Sequence, residues 1–237
     1  MGLIQIYEAL HEAFGSQKWW PISGGFSPAE WEVCVGAILT QNTNWKNVEK
    51  ALCNLERVGI TSIPKLIGTQ HTVIEDAIRP SGFYRQKAER LRVFADFIQS
   101  LGGFGQFKKT VTRNLLLEVK GIGPETVDSI LLYALERPFF VIDAYTKRVF
   151  TRMGFNLIDR QTKFGKPVKV NPKDEYELWR WFFESTLPKD VNIYKEYHAL
   201  IVRLAKRFCR KMPLCNECPL NNECKRIATN SDLPRHR

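Results

Sequence analysis

The sequence predicts an all-α fold, and three observations predict it. Apolar residues recur at the 3.6-residue spacing of a helix along most of the 237 residues. Helix start and stop signals punctuate those stretches. No sustained alternation of apolar and polar residues bounded by turn dipeptides marks a strand.

The elements follow in order. Leu3, Ile6, Tyr7, Leu10 and Phe14 form one helical stripe, ended by Gly15-Ser16. Ser27-Pro28-Ala29-Glu30 reads as an N-cap, a first-position proline and a third-position glutamate, opening a helix through Leu39. Helical patterns follow over residues 44–58, 62–67, 71–78, 84–100, 106–117, 125–136, 144–153, 174–185 and 191–209. Two stretches read as joints: Trp19-Trp20-Pro21-Ile22-Ser23-Gly24-Gly25, and the lysine-rich, Gly- and Pro-broken segment from Leu157 to Pro172.

Composition narrows the class. A chain with 44% hydrophobic and 25% charged residues is globular, and at this length it buries a core without disulfide staples. No apolar run approaches the ~20 residues of a membrane span. Met1-Gly2-Leu3-Ile4 has no basic leader character, and Glu8 and Glu12 interrupt the first apolar stretch. A cytoplasmic protein with no export signal and no membrane partner is therefore expected, acting as a monomer. The net charge is +10, distributed as −3 over residues 1–78, +6 over 79–152 and +7 over 153–237. Such a basic excess suits a polyanion-binding face or a solvated basic surface.

Six cysteines divide into two groups. Cys34 and Cys53 stand alone in apolar helical stretches and are expected to be small buried hydrophobes. Cys209, Cys215, Cys218 and Cys224 crowd sixteen residues with gaps of five, two and five. Without an export signal they argue for a metal or cluster site over disulfides, and four thiolates suit zinc or iron–sulfur equally.

Two further patterns carry chemistry. In Lys120-Gly121-Ile122-Gly123-Pro124-Glu125 an apolar helix ends, two glycines permit positive φ, and a helix begins. That is either an ordinary tight turn or an anion nest facing a phosphate. In Val141-Ile142-Asp143-Ala144-Tyr145 an apolar run meets one aspartate before an amphipathic helix. Asp143 is a plain N-cap, or a carboxylate kept ionised to face a cationic transition state.

The order of these parts resembles the helix–hairpin–helix DNA glycosylases of the endonuclease III superfamily. Ala37-Ile38-Leu39-Thr40-Gln41-Asn42-Thr43 is similar to that family's loop, whose glutamine fills the gap left by a flipped base. Gly82-Phe83-Tyr84-Arg85-Gln86-Lys87-Ala88 is similar to its Gly-apolar-Tyr-x-x-Lys-Ala segment, whose apolar residue is a second wedge. The match spans residues 27–224 and weakens over 155–175. The resemblance implies a two-lobed fold: a six-helix barrel over residues 23–134, and a second lobe of residues 1–22 and 135–237 carrying an iron–sulfur loop at 209–224. It implies a 4Fe–4S cluster on Cys209, Cys215, Cys218 and Cys224, with zinc as the alternative. The family's first cysteine gap is usually six, against five here.

The same resemblance implies roles for individual residues. Asp143 is the expected catalytic carboxylate, with Glu125 a further candidate acid. Gln41, Asn42, Phe83, Lys120, Gly121, Ile122 and Gly123 are the expected DNA contacts. Bifunctional members carry a lysine two positions after the second hairpin glycine; Glu125 stands there, and a carboxylate cannot form the imine that β-elimination requires. A monofunctional glycosylase acting on damaged double-stranded DNA is thus expected. Trp-Trp-Pro, Leu-Thr-Gln-Asn-Thr and Arg79-Pro80-Ser81-Gly82-Phe83-Tyr84 further resemble the 3-methyladenine glycosylase branch, which maps the base sandwich to Trp19 and Trp45 and points to an alkylated purine. Deaminated, oxidised or mismatched bases, or DNA binding without catalysis, are the alternatives.

Overall fold

The structure, a computed structural model, describes residues 1–155, 157 and 171–226. Among these, all regular structure is helical. In chain order the helices are α1 (Leu3–Phe14), α2 (Ala29–Leu39), α3 (Trp45–Arg57), α4 (Ile63–Gly68), α5 (His71–Ile78), α6 (Tyr84–Ser100), α7 (Phe104–Thr110), α8 (Arg113–Leu117), α9 (Pro124–Ser129), α10 (Ala144–Met153), α11 (Pro172–Thr186) and α12 (Val191–Arg207). A 3₁₀ turn, Arg79–Ser81, precedes α6, a π-helical turn, Ile130–Ala134, continues α9, and a second 3₁₀ turn spans Cys215–Glu217. No helix of the described residues is long and apolar enough to cross a membrane. Most of the segment 157–172 lies outside the described residues.

Three local expectations change. The pattern at 106–117 is two helices, because Val111 turns extended and Thr112 caps α8 by accepting the Leu115 N–H at 3.3 Å. Carbonyls freed at the end of α7 are taken by Arg137, which donates to Lys108 O at 2.6 Å and to Val111 O. Ser27 does not cap α2. Pro28 occupies the cap position after a cis peptide bond, and the Ser27 N–H donates to Thr61 O at 3.0 Å. Cys34 is fully buried as expected, but Cys53 is exposed. The inward stripe of α3 is Val48, Ala51, Leu52 and Leu55, which leaves position 53 on the outer face.

The chain divides into two compact units, one of residues 20–137 and one of residues 1–19 with 138–237. In the first, α2 is the central helix. Every residue from Trp31 to Leu39 is buried, as a helix apolar on all sides requires, and α3, α6 and the α9–π segment pack on it. Its one buried charge, Glu32, accepts the Ser23 N–H at 2.7 Å, the Ser23 hydroxyl at 3.0 Å and the Gly24 N–H at 3.3 Å. Asp128, also fully buried, takes a two-pronged guanidinium from Arg113 at 2.6 and 3.0 Å.

The second unit is built on aromatic packing. Phe140 stacks on Phe183 at 4.3 Å between centroids, and Phe150 meets Phe183 edge-on at 4.8 Å. Truncating a ring in such a cluster costs about 3–5 kcal/mol. α1 lays Leu3, Ile6 and Leu10 against α12, where the Tyr197 hydroxyl donates to Leu3 O at 2.8 Å. α1 and α10 both pack on α12, which fixes where α10 begins and ends.

Candidate active site

Asp143 is placed by the buried run that precedes it. Phe140, Val141 and Ile142 are within 1% of full burial, so the chain must leave the core at residue 143. The Phe140 N–H donates to Glu184 Oε1 at 2.9 Å, and the Ile142 N–H donates to the Tyr176 hydroxyl at 3.4 Å. Asp143 then caps α10, its Oδ1 accepting the Thr146 N–H at 2.7 Å and the Thr146 hydroxyl at 2.8 Å. Its Oδ2 lies 3.6 Å from His198 Nε2 on α12. Burial alone would raise this carboxyl's pKa. The His198 imidazole and the two Thr146 donors outweigh that and hold it below the ordinary carboxylate value. One oxygen is committed to the helix, while the other carries ionised lone pairs. That arrangement can face a cation or orient a water.

His198 was not singled out from sequence. The available signal is a lone imidazole on the buried face of α12, beside Tyr194, Tyr197 and Ile201. Its partner lies 55 residues earlier, which no local spacing encodes.

In the 20–137 unit the hairpin is only partly as expected. Gly121 takes φ +85°, and a Cβ there would stand 2.6 Å from Arg90 Cγ, so a side chain is excluded on both counts. Gly123 has φ −93° and ψ 175°, ordinary extended backbone, so only one of the two glycines needs its left-handed freedom. Ile122 is 5% exposed and its N–H donates to Val119 O at 3.1 Å, leaving it a core residue of the turn. Lys120, Gly121, Gly123 and Glu125 are exposed.

The structure brings Gln41 to that hairpin. Its Nε2 donates to Gly121 O at 3.2 Å and to the Thr126 hydroxyl at 3.0 Å, and its Oε1 accepts from Arg90. Asn42 is exposed with φ +53°, and Phe83 presents its ring to solvent at 62% exposure with φ +48°. A left-handed aromatic is uncommon, and here it opens α6.

Trp45 begins α3, and its ring partner within the unit is Trp20, at 5.0 Å and 87°. Trp20 also meets Tyr133 at 5.2 Å and lies over Gly36, where a Cβ would stand 3.1 Å from its ring. Trp20 is, with Trp19 and Trp45, an aromatic candidate for a pocket wall from the sequence, whereas Tyr133 carries no signal there; a tandem Trp-Trp does not say which ring turns inward. Trp19 belongs to the other unit and is half-buried.

All four C-terminal cysteines line one cavity of about 430 Å³, with Phe208, Met212 and Pro213 supplying apolar wall. No three His, Cys, Asp or Glu side chains among the described residues converge closely enough for a single metal ion. The four thiols share the one cavity, a donor set that fits an iron–sulfur cluster or zinc. Burial, followed by the neighbouring cysteines, pushes Cys218 and Cys224 up in pKa; a bound cationic centre would reverse this by taking thiolates. Arg152, 4% exposed, donates to Cys209 Sγ at 3.2 Å, to Arg210 O at 2.6 Å and to Lys211 O at 3.3 Å, tying α10 to the loop. Arg148 adds a bond to Cys209 O at 2.9 Å.

Comparison with known proteins places these features. Residues 35–164 match the model of the HhH-GPD superfamily of base excision DNA repair proteins. A candidate DNA repair glycosylase of Methanocaldococcus jannaschii is 43% identical over 228 residues, covering 94% of this chain and 95% of the relative. Endonuclease III of Thermotoga maritima is 27% identical over 81% of each chain. A crystal structure of Helicobacter pylori 3-methyladenine DNA glycosylase bound to 1,N6-ethenoadenine superposes with TM-score 0.69 at 28% identity, over 87% of this chain and 98% of that one. The chain belongs to the HhH-GPD superfamily of base excision DNA repair proteins.

Proposed function

We propose that the chain is a monofunctional DNA N-glycosylase that releases an alkylated purine such as 3-methyladenine and leaves an abasic site. The observation that carries this reading is Asp143. A binding protein has no use for a carboxylate held ionised with one oxygen uncommitted to its helix, whereas a glycosylase needs one beside an oxocarbenium-like sugar. The likeness to a 3-methyladenine glycosylase structure supports the substrate class. Glu125 in place of the imine-forming lysine supports base release without strand cleavage.

The mechanism follows from charge. A glycosidic bond inside a duplex is out of reach, so the damaged nucleotide leaves the stack. Gln41 and Phe83 take the vacated space, with Asn42 beside them. Gly121, Gly123 and Lys120 hold backbone phosphates, with Ile122 buttressing the turn from inside. Trp45, with Trp20 beside it, and Trp19 supply aromatic faces for the extruded base, which attract a positively charged ring most strongly. An alkylated purine already carries that charge and departs without a strong acid, so Glu125 is needed at most to assist. Asp143 stabilises the sugar cation and takes the proton of the attacking water.

The 20–137 unit corresponds on this reading to the barrel lobe, and the other unit to the cluster lobe. Cys209, Cys215, Cys218 and Cys224 would hold a 4Fe–4S cluster. Such a cluster crosslinks the terminal loop and can exchange one electron. Brown protein containing iron and labile sulfide in equal amounts is expected; stoichiometric zinc without iron would refute that assignment. The chain would act as a monomer on double-stranded DNA.

The test is a panel of duplexes, each with one lesion, scored separately for base release and for strand cleavage. Release of 3-methyladenine without nicking is expected. Preferential excision of uracil, an oxidised purine or mismatched thymine would move the substrate, as the likeness to endonuclease III allows. Nicking by the intact enzyme would overturn the monofunctional reading. No release of any base would leave a DNA-binding protein.

A further inference from the structure

Lys87, on α6, is wholly buried, at 0% exposure. Its ammonium donates to Leu39 O at 2.8 Å and to Ser81 O at 2.6 Å. Those carbonyls are equivalently placed. Leu39 ends α2 and Ser81 ends the 3₁₀ turn, and each stands two residues before a proposed gap filler, Gln41 and Phe83. The Lys87 N–H also donates to Phe83 O at 3.0 Å. One turn along the same helix, Arg90 holds Gln41 Oε1 and covers Gly121. A single face of α6 therefore grips both loops and the hairpin.

A packing role does not account for a charge here. Removing an ammonium from water is costly, and a volume-matched apolar residue is commonly as stable or more so. Carbonyls at helix ends are ordinarily left to water or local caps. The Phe83 loop also holds a bulky residue in the left-handed region, a conformation that persists only where the surroundings enforce it. The ammonium reaches both loops. Burial and the nearby Arg90 charge bring its pKa down to about 8, as a charge enclosed in this way requires.

We infer that Lys87 is the positioning residue for gap filling, locking the Gln41 loop to the Phe83 loop so that both side chains enter the duplex as one preset wedge. This rests on the reading of Gln41 and Phe83 as gap fillers. It assigns Lys87 no contact with DNA. The inference concerns precision of placement, because a wedge whose two halves move independently must be ordered at the moment of binding.

The experiment needs no excision. A duplex carries a stable tetrahydrofuran abasic analogue with 2-aminopurine on the opposite strand, and the full-length protein is added to saturation, so that affinity does not enter. Insertion of the wedge unstacks the 2-aminopurine and raises its fluorescence. The Gln41→Ala/Phe83→Ala variant is expected to lose the rise; if it keeps the wild-type rise, or the wild type gives none, the gap-filler reading fails and the Lys87 inference with it. If that variant loses the rise, Lys87→Met is expected to lose most of it while still binding, and to lose nothing more when added to the double variant. A full rise in folded Lys87→Met overturns the inference and leaves the gap-filler reading standing. Lys87→Gln, which keeps a donor for one carbonyl, is the second variant should Lys87→Met not fold. A partial rise with it supports the inference, and a full rise overturns it.

Discussion

Two helix N-termini, one in each unit, are finished in opposite ways. α10 begins at Asp143, whose carboxylate closes onto the Thr146 N–H and hydroxyl. α9 begins at Gly123, which has no side chain to cap with and stands exposed beside Gly121 and Lys120. Both ends carry the partial positive charge of aligned peptide dipoles. At α10 that charge is answered from within, and the result is a stored anion suited to meet a cation. At α9 the cap residue supplies no such group and the carboxylate of the first turn is the exposed Glu125, so on the proposed reading the hairpin backbone ahead of it is the place for a phosphate. The cap residue, aspartate or glycine, is one difference between the two ends; Glu125 in the first turn of α9 is the other.

That contrast can be broken from either side. The largest effect is expected from Asp143→Asn. Asparagine keeps the capping acceptor but not the charge that His198 and Thr146 favour, so the melting temperature should fall only modestly. Base release should nonetheless fall roughly 10²–10³-fold, the scale of losing one preorganised electrostatic group. Single-turnover release and a thermal melt on the same sample separate the two, and a large drop in melting temperature would show the charge to be structural.

A smaller effect is expected from closing the open end. Gly123→Asp meets no atom within 4 Å and has an ordinary backbone conformation, so it should stabilise α9 by a few tenths of a kcal/mol. The new carboxylate should repel a phosphate by on the order of 1 kcal/mol, weakening binding to undamaged duplex roughly fivefold at low salt and less at high salt. Titrations at two salt concentrations measure this. Unchanged affinity would remove the hairpin from the DNA-contacting surface.

The smallest effect concerns what keeps the closed end charged. The Asp143 carboxyl lies below its ordinary value, so its contribution to stability is fully present above the unfolded carboxylate range, about pH 4, and is lost as pH falls through the lower folded value. His198→Gln removes the imidazole facing Oδ2, so that folded value rises toward the unfolded one, the charge contributes less at pH 6, and less is lost on acidification. Melting temperatures from pH 6 down to pH 3 should show the variant less stable at pH 6 and its acid limb shallower, the two proteins converging toward pH 3. Coincident limbs would mean that Thr146 alone holds the charge.

Much of this was legible in the residues, and what was not has a common cause. The Asp143 cap is written within three residues, as an apolar run, an aspartate and a threonine at the third position. The hairpin turn and the cysteine spacing are equally local. The His198 contact with Asp143 and the Lys87 bond to Leu39, 48 residues away, leave no such trace. Trp20 was legible as one of two adjacent tryptophans, and only packing on Gly36, Trp45 and Tyr133 picks it out. The two hairpin glycines both permit positive φ, and only the folded turn shows that Gly121 uses it while Gly123 stays extended. Cys53 went astray because a helix of mixed polarity does not announce which edge of its stripe is outermost.

An all-helical chain with an ionised cap at α10, a tight turn before α9 and four grouped thiols near its end follows from interactions spanning a few residues, which neighbours along the chain specify directly. Which imidazole faces Asp143, which indole packs on Trp45, and which buried ammonium ties Leu39 to Ser81 follow from packing between helices. Those contacts form only once apolar faces have paired, and the residues that make them look, one by one, like ordinary members of a helix.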